Sequence, residues 1–78
     1  MVKWEDLTGI EREWAEEWVE GVCELQARGP VGEPEEERAK EFERCKKTFM
    51  EDKKKLATRA RRWMNRLRKA IGQKTLPE

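Results

Sequence analysis

The sequence predicts an all-α protein, and three observations carry the prediction. Apolar residues recur at steps of three and four, Thr8-x-x-Glu11 and Pro34-Glu35-Glu36-Glu37 stand where helices begin, and Gly29-Pro30 and Gly72 stand where helices end. The expected architecture is one domain, a two-helix antiparallel hairpin with helix 1 over 8–28, a turn over 29–33, a long helix 2 over 34–71 and a loose tail over 72–78. A chain of this size buries only about 60% of the surface its unfolded form exposes. A second copy is therefore expected to complete the core, giving a homodimer built as a four-helix bundle.

Helix 1 starts at a capping box. The Thr8 side chain can accept the Glu11 amide while the Glu11 carboxylate reaches back to the Thr8 amide, satisfying two donors that no helical carbonyl reaches. Leu7, Ile10, Trp14, Trp18, Val22 and Leu25 then line one face. Ala15, Val19 and Cys23 extend that face sideways beyond what one partner helix covers, a second indication of another chain. The helix stops at Arg28, because Gly29 can take the left-handed capping conformation and Pro30 cannot continue the hydrogen-bond ladder.

Helix 2 begins with Pro34 at its first position and three glutamates against the positive end of its dipole. Neither glycine nor proline follows until Gly72, and Phe42, Cys45, Phe49, Leu56, Ala60, Trp63, Leu67 and Ile71 keep one phase, predicting a single rod. Its weak point is 51–55, where Lys53 takes a place the stripe needs for an apolar side chain, so a kink or break is the alternative there. Arg66, Arg68 and Lys69 complement the negative dipole end. The core and dimer seam are assigned to Trp14, Trp18, Val22, Phe42, Phe49, Leu56, Trp63 and Leu67, with Trp4 folding over the hairpin end.

Two cysteines are too few for a disulfide scaffold. In a hairpin turning near residue 31, Cys23 faces about residue 39, which leaves Cys45 roughly 9 Å further along at 1.5 Å per residue. Bridged Cα atoms must come within about 7 Å, so two free, mostly buried thiols are expected. Without histidine or a close cysteine pair no zinc site can form, and no metal or cofactor is expected. No apolar run approaches the roughly 20 residues that cross a bilayer, and no secretion signal opens the chain. An intracellular, cytoplasmic protein with no membrane partner is the resulting expectation.

The absence of histidine also removes the usual acid–base residue. Neither cysteine has an activating partner, and no glycine-rich loop precedes a helix to cradle phosphate. An enzyme with a small-molecule substrate is not expected.

A net charge of +1 conceals a division between the two halves. Residues 1–43 carry five basic and fourteen acidic side chains (5 − 14 = −9), and residues 44–78 carry thirteen and three (13 − 3 = +10). Such segregation points to an electrostatic role for one half. At 100° per residue Lys40, Arg44, Lys47, Lys54, Lys55, Arg62, Arg66 and Lys69 fall opposite the apolar stripe of helix 2, while Arg59 lies beside it. From Arg44 to Lys69 (69 − 44 = 25 residues) the basic face spans roughly 37 Å. The candidate nucleic-acid contacts are Arg44, Lys47, Lys54, Lys55, Arg59, Arg62, Arg66 and Lys69, acting on phosphates rather than bases; Asn65 is the main side chain besides arginine suited to a base edge.

A plainer account lets the acidic helix neutralise the basic one, with Glu17 and Glu24 reaching Arg59, Lys46 or Lys53. Arg44, Lys54 and Arg62 point away from helix 1 and escape that pairing, so their field is left for a partner. The alternative reading is a non-enzymatic helical interaction module, natural or designed, whose basic helix meets an acidic partner.

The segment from Pro34 to Met64, with Cys45, Lys47, Lys54 and Arg59 spread along one helix, resembles in layout the long helix of the small RNA-silencing suppressors of nodaviruses. The likeness covers about two thirds of the chain and rests on architecture and charge placement. It implies a dimer of hairpins lying along double-stranded RNA, bound without regard to sequence and hidden from processing nucleases. The chain departs from that pattern in its acidic first helix and in having no third helix after Gly72.

Overall fold

Thr8 and Glu11 start the first long helix as the capping box predicts. The Glu11 amide donates to Thr8 Oγ1 at 3.3 Å, and the Thr8 amide donates to Glu11 Oε1 at 3.0 Å. In the computed structural model, which describes residues 1–28 and 34–78, a 3-10 turn at Trp4–Asp6 precedes three helices: α1 (Gly9–Ala27), α2 (Glu35–Glu51) and α3 (Lys53–Ala70). Among the described residues all regular structure is helical. The expected turn over 29–33, with its glycine stop, lies outside them.

The single rod expected over 34–71 is two helices. Asp52 leaves the helical region (φ −111°, ψ 67°), at the weak point that Lys53 marks. An unbroken helix would carry the Lys53 ammonium into the apolar seam, and burying an unpaired charge is costly. The break turns Lys53 instead toward the face of Trp4, its Nζ 5.6 Å from the ring centroid. It also brings Leu56, Ala57, Ala60 and Arg61 inward on α3, while Leu67 and Ile71, expected to continue the stripe, stand 46% and 69% exposed.

A similar rotation affects α1. The large stripe of the sequence reading is not the buried one: Ile10 and Leu25 are each 64% exposed and Trp14, Trp18 and Val22 half-buried. What is buried is the neighbouring i, i+4 series of Glu11, Ala15, Val19, Cys23 and Ala27. Small side chains there meet Leu56, Ala57 and Ala60 of α3, with Val2 and Leu7 completing the cluster and Phe42, Phe49 and Met50 packed at its rim. Small residues let helix backbones approach closely, and close approach is what places bulky indoles outside rather than between the helices.

The expectation of two free thiols is overturned, because Cys23 and Cys45 are joined by a disulfide with Cα atoms 5.5 Å apart. Counting from the turn misjudged the register. Side-chain packing sets it: Trp18 meets Phe49 edge-on at 5.4 Å, and the same offset brings Cys45 opposite Cys23.

One buried ion pair ties the ends together. Glu11 is 0% exposed and Arg61 6%. Arg61 Nε donates to Glu11 Oε2 at 2.8 Å, Nη1 to the Pro77 carbonyl at 2.7 Å and Nη2 to the Asp6 carbonyl at 3.0 Å. Residues 73–78, expected as a loose tail, are therefore held. Asn65 brackets Leu76, donating to its carbonyl at 2.9 Å and accepting from its amide at 2.8 Å, and Arg68 Nε donates to the Lys74 carbonyl at 2.6 Å. Gly72 does end the helix as predicted. Its φ of +80° lets its own amide reach the Lys69 carbonyl and that of Gln73 the Arg68 carbonyl, the paired bonds of a Schellman cap.

Two expected outcomes follow from these constraints. Arg61→Met leaves the Glu11 carboxylate buried without its partner and should cost about 3–5 kcal/mol in urea unfolding, while Glu11→Gln combined with Arg61→Met should cost less than the single change. Reducing the disulfide, which closes a separation of 22 residues, should remove about 3 kcal/mol, read as a lower melting temperature with reductant than without.

Candidate nucleic-acid interface

The helix α3 carries nine basic residues and no acidic one. Five of them, Lys55, Arg59, Arg62, Arg66 and Lys69, follow at steps of four, three, four and three, which keeps them on the face turned away from Leu56, Ala57 and Ala60. All five are exposed. From Lys55 to Lys69 the stripe is roughly 21 Å long at 1.5 Å per residue.

Its cations are weakly engaged within the chain. Lys55 Nζ lies 3.8 Å from Asp52, one turn back, and Arg62 Nε 4.0 Å from Glu78. Both pairs are solvent-exposed and contribute little. The guanidinium of Arg59 lies 4.5 Å from the Trp18 ring centroid, a cation–π contact that orients the group without neutralising it. Arg66 and Lys69 have no carboxylate within ion-pair distance among the described residues. Lys54, Lys55, Arg59, Arg62 and Arg66 also border a groove of about 580 Å³ walled on its apolar side by Trp18, Phe49 and Leu56.

The basic face is shorter than the sequence suggested. Arg44 and Lys47 lie on α2 across the break, and the outer face of α2 also carries Glu36, Glu37 and Glu51. Arg44 sits 3.4 Å from Glu41 and Lys40 3.9 Å from Glu37, so α2 presents mixed charge. The roughly 37 Å rod expected from Arg44 to Lys69 is thereby reduced to α3. Lys54 lies about 100° around α3 from the Lys55 position and joins the stripe only at the groove.

The cross-helix pairs also differ from expectation. Lys46 reaches Glu20 at 3.7 Å rather than Glu24, and Lys53 and Arg59 take aromatic faces instead of Glu17 or Glu24. Asn65 is committed to Leu76 and is not available for a base edge. Of the large apolar residues assigned to the core or dimer seam, Leu56 is buried, Trp14, Trp18, Val22, Phe42, Phe49 and Trp63 are half-buried and Leu67 is exposed. Trp4, expected over the hairpin end, is half-buried and packs against the core, with Lys53 on its ring. Sequence reasoning missed the Glu11–Arg61 pair, although Glu11 shares its phase with Ala15, Val19 and Cys23, and a charge in a small-residue stripe was the available signal.

Compared with known protein families, characterised proteins and solved structures, the chain matches none.

Asn65→Ala should accelerate hydrogen exchange at the Leu76 amide while leaving affinity for a nucleic-acid duplex unchanged, as suits a residue that holds the tail rather than reads a base.

Proposed function

We propose that this chain binds double-stranded nucleic acid through the outer face of α3, with Lys55, Arg59, Arg62, Arg66 and Lys69 contacting phosphates. The supporting observation is a helix with nine cations and no carboxylate, five of those cations exposed on one face. A stripe roughly 21 Å long exceeds the roughly 12 Å width of a B-form major groove, and on an A-form duplex it reaches phosphates across the wide, shallow minor groove. The mode is shape and charge recognition without base reading, and it involves no chemistry on the ligand. Double-stranded RNA is the duplex favoured by the resemblance to the nodaviral suppressors, and concealing it from nucleases is the corresponding biological role.

The disulfide favours a second reading. Such bonds persist in oxidising settings and are rare in the cytosol, so a stapled helical module whose basic α3 docks on an acidic protein is the alternative. It also argues for a compartment other than the cytoplasm.

A mobility-shift titration with short RNA and DNA duplexes across a salt series separates the two. Five phosphate contacts give a slope of log K against log salt of about −4 to −5, and Arg62→Glu should weaken binding at least about tenfold with helicity retained. No shift at low salt would remove the nucleic-acid reading, and binding to polyglutamate but not to either duplex would establish the second.

A further inference from the structure

The largest apolar side chains of this molecule lie outside its own core. Trp14 and Trp63 stack at 4.9 Å with an interplanar angle of 12°, each half-buried. One turn before Trp14 stands Ile10, and one and two turns after Trp63 stand Leu67 and Ile71, at 64%, 46% and 69% exposure. Trp18 meets Arg59 and Trp14 meets Trp63, so α1 and α3 run in opposite directions along this line. Ile10 and Leu67 consequently fall at one level, and the five residues form a continuous apolar seam. The molecule is elongated and thin, with principal extents of 48 × 24 × 16 Å and a radius of gyration of 15.2 Å against about 11–12 Å for a compact chain of this length.

The two edges of the seam carry opposite charge. Outward from Trp14 and Ile10, α1 presents Glu17 and Glu13; outward from Trp63, α3 presents Arg59 and Arg66, all four exposed. Counting residues from the Trp14–Trp63 contact at about 1.5 Å each places Arg59 within about 1.5 Å of the level of Glu17 and Arg66 within about 3 Å of that of Glu13, offsets that the long arginine side chains span.

We propose that a second copy of this chain covers the seam, in a two-fold dimer whose axis runs parallel to it. Rotation about such an axis exchanges the two edges while preserving level, so each Glu13 meets the partner's Arg66 and each Glu17 the partner's Arg59. An axis across the seam would set glutamate against glutamate and is disfavoured. This interface differs from the one read from the sequence, since Leu56, Phe42 and Phe49 are consumed by the chain's own core. It does not rest on nucleic-acid binding: in the dimer Arg59 and Arg66 face the partner's carboxylates, and Lys55, Arg62 and Lys69, which lie around α3 away from the seam, stay open to a polyanion, with a salt slope of about −3 in place of the roughly −4 to −5 of a monomer.

Sedimentation equilibrium of the oxidised full chain tests the proposal. The wild type should sediment at twice the 9.3 kDa chain mass. Leu67→Lys, placed twice in a symmetric interface, should raise the dimer dissociation constant by roughly a hundredfold. Glu13→Arg should weaken the dimer by facing Arg66, and adding Arg66→Glu should restore it by reversing the pair. Circular dichroism on each variant verifies that the helices persist. A wild type that stays monomeric at about 100 μM, a swap that fails to restore association, or a monomer whose tryptophans insert into phosphatidylglycerol vesicles would each overturn the assignment.

Discussion

Everything in this fold converges on the buried contact between Glu11 and Arg61. The carboxylate accepts from both the amide and the hydroxyl of Thr8 and from Arg61, while the guanidinium also donates to carbonyls of Asp6 and Pro77. A buried pair of charges repays its desolvation only when its remaining donors and acceptors are satisfied, and here no buried side-chain polar atom is left without a partner among the described residues. Through it the N-terminal turn, the first helix and the C-terminal tail are all hydrogen-bonded to one side chain of α3.

Around that pair the apolar core is modest, built from alanines, one valine and one leucine between the helices and sealed at the other end by the disulfide. A chain this small cannot stabilise itself by apolar area alone, so a covalent staple and a charge clamp stand in for missing hydrophobic burial. The same arrangement explains the surface. With small residues between the backbones, tryptophans and branched aliphatics are displaced to the edges, where they stack on each other and on arginine rather than disappear inside.

Charge follows the same division of labour. Glu11 of α1 is spent on Arg61, Glu20 pairs with Lys46 of α2, and on α2 Glu37 and Glu41 are met by Lys40 and Arg44. Toward the outer face of α3, α1 offers the Trp18 ring to Arg59, which leaves the charge in place. The cations of that face keep most of their field because Lys55 and Arg62 meet only exposed carboxylates, at 3.8 and 4.0 Å, which is why a polyanion or an acidic edge from another molecule is the natural complement.

Much of this was legible in the residues. Thr8 and Glu11, Pro34 with its glutamates, and Gly72 mark helix ends because capping is a local hydrogen-bonding requirement, and a 3.6-residue period reports amphipathicity within one turn or two. The sign of the charge on 44–78 was equally plain, as was the weakness around Lys53. The break itself, the Cys23–Cys45 bond, the Glu11–Arg61 pair and the ordered tail were not, since each joins residues brought together only by how one helix seats on another. Composition and period alone determined that the chain is helical, where most helices start and which half is basic. Tertiary structure decided which of two adjacent apolar stripes on α1 went inside, because small side chains permit the closer backbone approach and that closeness, invisible in any one helix, sets register, disulfide and exposed seam together.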